Sequence, residues 1–372
     1  SLGAAAHLKN PILTQVPYLT LWNHFTTRPG KDPRDVNPRV LQDNGIFYLP
    51  FLDWYHTGAS EFFGDVDTRN VDGAPAAILN GGSAYYPKTD GTRNPAKERI
   101  FLNVSSKFDE VLPNIANPPN PSNEKTKSVV WATRAWYALN VPWPTYYDQE
   151  YAFWHKMYNY GARDLAVRYH VSSFRSYAPT RNGDPYAFES TLDPRIGGGD
   201  ARYARFVQQM QNDFGFRTGH YVNYTMLSPV NPENWREEWV NIDPAGQLNT
   251  GGEVWAYVSK VSRIQEMQAH AGPPRLAAWQ PTLSYSDQLT AHPPWRYVDY
   301  DASTAGAGQF APVIRTFAKS MKEERGYCHD GPVLSEGIHQ WFYAGFCDSY
   351  AQTTRAWYAA IPNFQLGAPH LL

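Results

Sequence analysis

Two acidic residues stand where paired carboxyl chemistry needs them. Asp287 follows the run Thr282-Leu283-Ser284-Tyr285-Ser286, and Glu336 follows Pro332-Val333-Leu334-Ser335. Both runs read as short buried strands, so each carboxyl group sits at a C-terminal strand end. Cleavage of a glycosidic bond uses such a pair. One carboxyl protonates the leaving oxygen while the other attacks the anomeric carbon or activates water. Gly337, directly after Glu336, lets the chain turn away sharply. The plainer role for either acid is to cap a following helix or to pair with an arginine.

Three further polar residues fall at comparable places. His170 lies in the apparent strand Asp164–Val171, Asn223 in Thr218–Thr225, and Lys260 just after Val254–Ser259. His170 and Asn223 can bond ring hydroxyls. Lys260 can do the same, or lower the pKa of a nearby carboxylate through its charge. His292, Trp295 and Arg296 occupy the segment after Asp287, and Trp341 and Tyr343 follow Glu336. These eight are the expected substrate-binding residues. Asp299, Asp301 and the cluster Asp53-Trp54-Tyr55-His56 are further polar groups without a spacing argument.

The elements that must position these residues alternate in type. Tyr147, Tyr151, Trp154 and Tyr158 recur at helical spacing, and Gly161 follows as a stop. Tyr203, Phe206, Val207 and Met210 mark a second helix, Ser262–His270 a weaker third, and Phe310, Val313, Ile314, Phe317 and Met321 a fourth. A last helix is expected near Ala351–Ala360. Pro281–Ser286 and Gly331–Ser335 complete five strands. Strand-helix alternation predicts a parallel sheet covered by helices. No glycine-rich phosphate fingerprint follows any strand, which disfavours a dinucleotide fold. Polar residues at the C-terminal ends of five successive strands instead predict an α/β fold of the (β/α)8 barrel type. A full barrel has eight strands. Either the N-terminal half supplies the missing ones or the barrel is incomplete in this chain, part of a longer protein. The second is the expectation. Residues 1–145 read as a β-rich or irregular region, with strands at Tyr18–Trp22, Gly45–Phe51 and Arg99–Val104, and residues 146–372 as the barrel.

Composition narrows the classes. With 33 basic and 35 acidic side chains the net charge is −2, and no Lys/Arg run forms the basic stripe of a nucleic-acid binder. No apolar stretch is long enough for a membrane span, and the first residues lack the basic-then-apolar layout of a signal peptide. Aromatic residues reach 15%, with 13 Trp, enough for a large core and for stacking on sugar rings. Cys328 and Cys347 either pair or stay as buried thiols. Asn103-Val104-Ser105 and Asn223-Tyr224-Thr225 carry the glycosylation pattern. No metal motif, cofactor motif or Gly-x-Ser-x-Gly elbow stands out, so neither a metal nor a cofactor is expected.

Tyr285-Ser286-Asp287-Gln288-Leu289-Thr290-Ala291-His292-Pro293-Pro294, then Asp299-Tyr300-Asp301, then Gly331 to Gly337 resemble the nucleophile and acid/base strands of a group of barrel glycosidases. The group includes glycoside hydrolase families 101 and 129, which act on α-linked N-acetylgalactosamine, and related barrels. The resemblance covers roughly residues 146–350. It implies a retaining mechanism on an α-linked galactose or N-acetylgalactosamine type of sugar, with Asp287 forming the covalent intermediate and Glu336 as acid/base. It also implies a carbohydrate as partner and a secreted or periplasmic location. Ser286 and Gln288 flank Asp287 where the resemblance leads one to expect an apolar residue. The alternative is a barrel without catalysis that binds glycans or serves as a structural subunit. A sugar lyase or isomerase needs a Tyr, His or Lys base in the same place.

Overall fold

The computed structural model describes residues 12–15, 39–71, 74–112, 130–134, 146–169, 199–232, 234–251, 256–336, 339–343 and 345–351. The chain divides into two compact units. One comprises Ser1–Ala116, Ile242–Gln247 and Pro293–Arg315, and the other Asn117–Asn241, Leu248–His292 and Thr316–Leu372.

The first unit is built on antiparallel β-structure. Strands β1 (Ile12–Gln15), β2 (Arg39–Asp43) and β3 (Ile46–Leu52) lie side by side. Two residues, Asn44 and Gly45, join β2 to β3, both at positive φ (50° and 79°). That is the tight hairpin turn Asn-Gly favours, because its backbone matches the strand twist. Gly45 is thus a turn residue and not the start of the expected strand. β4 (Glu61–Val71) and β5 (Ala74–Ala84) form a separate long hairpin. The sequence reading missed it, because Ala- and Gly-rich β5 has little strand propensity. β6 (Ile100–Ser105) closes the first sheet at β3, and the short helix α1 (Phe108–Val111) follows. Val40, Leu49, Phe51 and Val111 form its core. The expected strand Tyr18–Trp22 lies outside the described residues.

The second unit contains a six-stranded parallel sheet. Its elements run β7 (Val130–Arg134), α2 (Tyr146–Asn159), β8 (Leu165–Tyr169), α3 (Asp200–Phe214) and β9 (Arg217–Val222). After β10 (Met226–Leu227) and β11 (Tyr257–Val258) come α4 (Ile264–Trp279), β12 (Leu283–Ser286), α5 (Ala311–Gly326), β13 (Val333–Glu336) and β14 (Ser349–Ala351). The order across the sheet is β14-β13-β12-β9-β8-β7, so each strand lies beside its predecessor in the sheet without reversal. A doubly wound fold reverses at a switch point, whereas this unreversed order is that of a barrel wall. The described strands make a half-barrel, not a closed eight-stranded one.

Four expectations change here. The sheet begins at Val130, ahead of the expected boundary at residues 145 and 146, and β14 adds a strand where a helix was expected near Ala351; residues 352–360 lie outside the described set. Of the apparent strand at Val254–Ser259, the described residues Tyr257 and Val258 do not join the parallel sheet, because β11 pairs antiparallel with β10 in a small ribbon of its own. The helix expected to end near His270 continues to Trp279 through Pro273 and Pro274. The prolines remove backbone donors, but the extra turns bury Arg275 and Trp279.

Period-two alternation sorts the sheet residues. Leu165 and Val167 face helices α2 and α3, while Ala166 joins Tyr221, Leu283, Tyr285 and Leu334 on the opposite, inner face. The aromatic stripe of α2 packs as its spacing predicts: Tyr147 stacks on Phe206, Tyr151 on Phe214, and Trp154 meets Phe216 edge-on. Full burial of one such ring stabilises by about 2–3 kcal/mol. Between β9 and β12 the chains meet at Gly219, where a Cβ would fall 1.6 Å from the carbonyl oxygen of Leu283. No side chain fits there.

The outer face also buries a polar network. Glu324 of α5 accepts at Oε1 from Arg275 Nη2 (3.0 Å), Tyr224 (2.5 Å) and Gln268 (3.2 Å), and at Oε2 from Ser284 (2.8 Å). Arg275 Nη1 lies 3.2 Å from Nε2 of His220. Burial and then the adjacent guanidinium hold the His220 pKa well below its ordinary value. Cys328 and Cys347 are both buried as thiols, and burial pushes the Cys328 thiol well up.

Candidate active site

Strands β12 and β13 pair in parallel, with Ser286 opposite Ser335. One step further along each strand come Asp287 and Glu336. Tyr285 and Leu334 point to the inner face, so alternation sends Asp287 and Glu336, two residues on, to that same face. Adjacent strands stand about 4.8 Å apart, so the two carboxyl-bearing residues are neighbours across the sheet. The backbone N–H of Asp287 donates to Val222 O at 2.7 Å, which extends the ladder with β9 as far as the acid itself.

Asp287 is 7% exposed. Its Oδ1 accepts from the Tyr285 hydroxyl at 2.7 Å, and its Oδ2 from the Tyr221 hydroxyl at 2.9 Å and Asn223 Nδ2 at 3.4 Å. Tyr285 lies two residues before Asp287 on one strand, and Tyr221 is its register partner on the next. Hydroxyls donating to a carboxylate make charge-assisted bonds that fix its plane. Asn223 is itself fixed, since Thr225 donates to its Oδ1 through N–H and hydroxyl, both at 2.9 Å.

Glu336 is half-buried. Its Oε2 accepts from Gln288 Nε2 at 3.1 Å. Its backbone carbonyl accepts from the Thr290 hydroxyl. The Ser335 hydroxyl donates to Ser286 O at 2.6 Å and accepts from Thr290 N–H at 3.2 Å, and His339 N–H donates to Thr290 O at 2.9 Å. The segments after the two strands are thereby stapled together, which holds the carboxyl groups in a set relation. Gln288 sits in this staple at φ 66°. Leu289 N–H reaches back over it to Asp287 O at 2.9 Å, a γ-turn-like arrangement. A non-glycine residue in this region costs about 1–3 kcal/mol.

The other expected site residues separate into groups. Asn223 is brought to Asp287. His170 lies outside the described residues. Lys260 follows the antiparallel ribbon, its N–H bonded to Trp239 O at 2.6 Å, so its expected place on a barrel strand end is corrected. His292 is half-buried in the segment after Asp287. Trp295 and Arg296 belong to the first unit. There Trp295 is 4% exposed and packs against Phe62 and Phe310, so its ring serves a core and the sugar-stacking role expected of it is withdrawn. Tyr343 is likewise fully buried, with Phe317 of α5 and Phe342 as ring neighbours, and offers no open face to a ligand. Trp341 falls in the 3-10 turn Gln340–Tyr343, and the placement of its side chain lies outside the described set.

Tyr221, Tyr285 and Gln288 were missed. The available signal was alternation, because each tyrosine stands two residues before a polar strand-end residue. Asp299 accepts at Oδ1 from the N–H groups of Ile242 and Asp301 within the first unit. Asp53 there lies 2.8 Å from His56 and 3.2 Å from Arg99, an ordinary local ion pair. Among the described residues no three or more His, Cys, Asp or Glu side chains group as a metal site, and no helix is long and apolar enough to cross a membrane. The glycosylation pattern at Asn223 has no folded-state acceptor, since Asn223 is fully buried.

No protein-family model and no curated protein matches the chain. Solved structures do. The α-N-acetylgalactosaminidase NagBb from Bifidobacterium bifidum (quadruple mutant) aligns with TM-score 0.59 and 10% identity, over 87% of this chain and 55% of that one. A variant of the GH36 α-galactosidase AgaA from Geobacillus stearothermophilus, in complex with 1-deoxygalactonojirimycin, aligns with TM-score 0.51 and 10% identity, over 92% of this chain and 46% of that one. The fold resembles that of these glycosidase barrels. The chain spans about half the length of these neighbours.

Proposed function

We propose that this chain carries the catalytic barrel of a retaining α-glycoside hydrolase acting on an α-linked galactose or N-acetylgalactosamine type of sugar. The observation that carries the reading is the pair of carboxyl groups ending adjacent parallel strands on one face, with Asp287 held by two tyrosine hydroxyls and an amide. The alignment with α-galactosidase and α-N-acetylgalactosaminidase folds supports the sugar class. In this reading Asp287 attacks the anomeric carbon while Glu336 protonates the departing oxygen. Water, deprotonated by Glu336, then releases the sugar. Two inversions return the α configuration.

The test uses an aryl α-galactoside and an aryl α-N-acetylgalactosaminide. Glu336→Gln should slow substrates with poor leaving groups far more than activated aryl glycosides, because an activated group departs without protonation. Azide should restore turnover on the activated substrate and yield the α-glycosyl azide, identified by NMR. Asp287→Asn should lose turnover on both classes of leaving group. An active wild type whose two variants both keep near full rate would sink the assignment.

A further inference from the structure

Gln288 is an unusual choice for its backbone. At φ 66° it occupies the region that glycine enters freely and other residues enter at a cost. A glycine would make the same turn, closed by the same Leu289 N–H to Asp287 O bond. What a glycine cannot supply is the side-chain amide, whose Nε2 donates to Glu336 Oε2 at 3.1 Å. Gln288 is also one of the two polar flanks of Asp287 that depart from the resembled motif. The strained backbone and the specific contact thus occur in one residue, which follows Asp287 in the chain and bonds to Glu336.

We infer that Gln288 is a positioning residue for Glu336, holding its Oε2 so that Oε1 is the oxygen that gives and takes the catalytic proton. This rests on the acid/base reading of Glu336 given above. The amide N–H only donates, so the oxygen it holds must accept. A proton on Glu336 then resides on Oε1. In the first step the Oε1–H bond breaks, the proton passes to the glycosidic oxygen, and the bond from that oxygen to the anomeric carbon breaks as Asp287 attacks. In the second step Oε1 takes a proton from water, whose oxygen bonds to the anomeric carbon as Asp287 leaves. Glu336 ends protonated as it began. The charged group at the neighbouring strand end is Asp287. From the loop after Asp287, Gln288 meets Glu336 at its carboxyl group and Thr290 at its backbone carbonyl.

Two variants separate the amide from the backbone. Gln288→Met keeps a side chain of similar length and the same strained φ but lacks the donor. Gln288→Gly relaxes the backbone and lacks the donor too. Carbon-13 labelling of glutamate carboxyl groups, with Glu336→Gln to assign the resonance, reads the titration of Glu336 without any substrate. A donated N–H favours the ionised carboxyl, so both variants should move that titration upward by about half a pH unit or more. The basic limb of kcat/KM should move in the same direction. An unchanged Glu336 titration in both variants overturns the inference. A moved titration in a protein whose Glu336→Gln variant keeps full activity leaves the contact standing and removes the acid/base reading instead.

Discussion

The two faces of the parallel sheet each bury a carboxylate, and they treat it differently. On the outer face Glu324 is wholly enclosed and meets a guanidinium, a phenol, an amide and a serine hydroxyl. On the inner face Asp287 retains 7% exposure at a strand end and is held by two phenols and an amide. The outer acid is neutralised in place, and its partners tie helix α5 to helix α4, to strand β12 and to the turn after β9. The inner acid is oriented by residues of its own strand and the adjacent one. A carboxylate sealed by a cation can brace a fold, whereas one held by neutral donors at the edge of solvent stays open to a reacting partner.

The largest effect should come from unbalancing the outer pair. Arg275→Met strands Glu324 as a buried charge, and unfolding in urea should show a loss of about 3–5 kcal/mol. Replacing both partners by apolar residues should recover most of it. Equal losses for single and double variants would show that packing, not charge balance, governs the site. Next is Gly219→Ala, which forces β9 and β12 apart at Leu283. It should cost about 1–3 kcal/mol in unfolding, and it should lower turnover as well, because these two strands carry Tyr221 and Asp287.

On the inner face Tyr285→Phe removes one donor from Asp287 and fills the same space. The lost donor leaves Asp287 less well oriented, so kcat/KM should fall roughly tenfold or more, while unfolding should show a loss of no more than about 1.5–3 kcal/mol. A reversed pattern, stable turnover in a weakened protein, would make this tyrosine a brace like Tyr224. The smallest effect is pH-linked. His220 has its folded pKa held well below the unfolded one by burial and then by Arg275. The unfolded chain therefore binds a proton that the folded chain refuses. Stability is full above about pH 6.5 and declines as pH falls below it, by up to about 1.4 kcal/mol per pH unit. Comparing unfolding at pH 7 and pH 5 should show a shallower decline in His220→Asn.

Much of the scaffold was legible from periodicity. The aromatic stripe of α2, the buried face of α3 and the strands ending at Asp287 and Glu336 all follow from spacing, since 3.6-residue and 2-residue repeats are properties of the local backbone. The β4–β5 hairpin was not legible, because its Ala- and Gly-rich strand has no alternation to read. Nor was the fate of Val254–Ser259. A short apolar run says that it is buried, not which sheet it joins, and here β11 pairs with β10. Trp295 and Tyr343 were expected at a ligand because aromatic rings suit sugars, yet both rings are spent on core packing. An aromatic residue gains from either environment, so its type alone does not choose between them.

By itself the sequence determined the helices α2 to α5 and the strands β8, β9, β12 and β13, with the two acids at the ends of the last two, because patterning and strand termination are local. Only the tertiary structure decided which donors meet those acids. Tyr221 is 66 residues from Asp287 in the chain and Gln288 is 48 from Glu336, and such pairs form only when strand register brings them side by side. Register depends on how whole faces pack, here down to the missing side chain at Gly219, and a packing condition shared by many residues leaves no mark at any one of them.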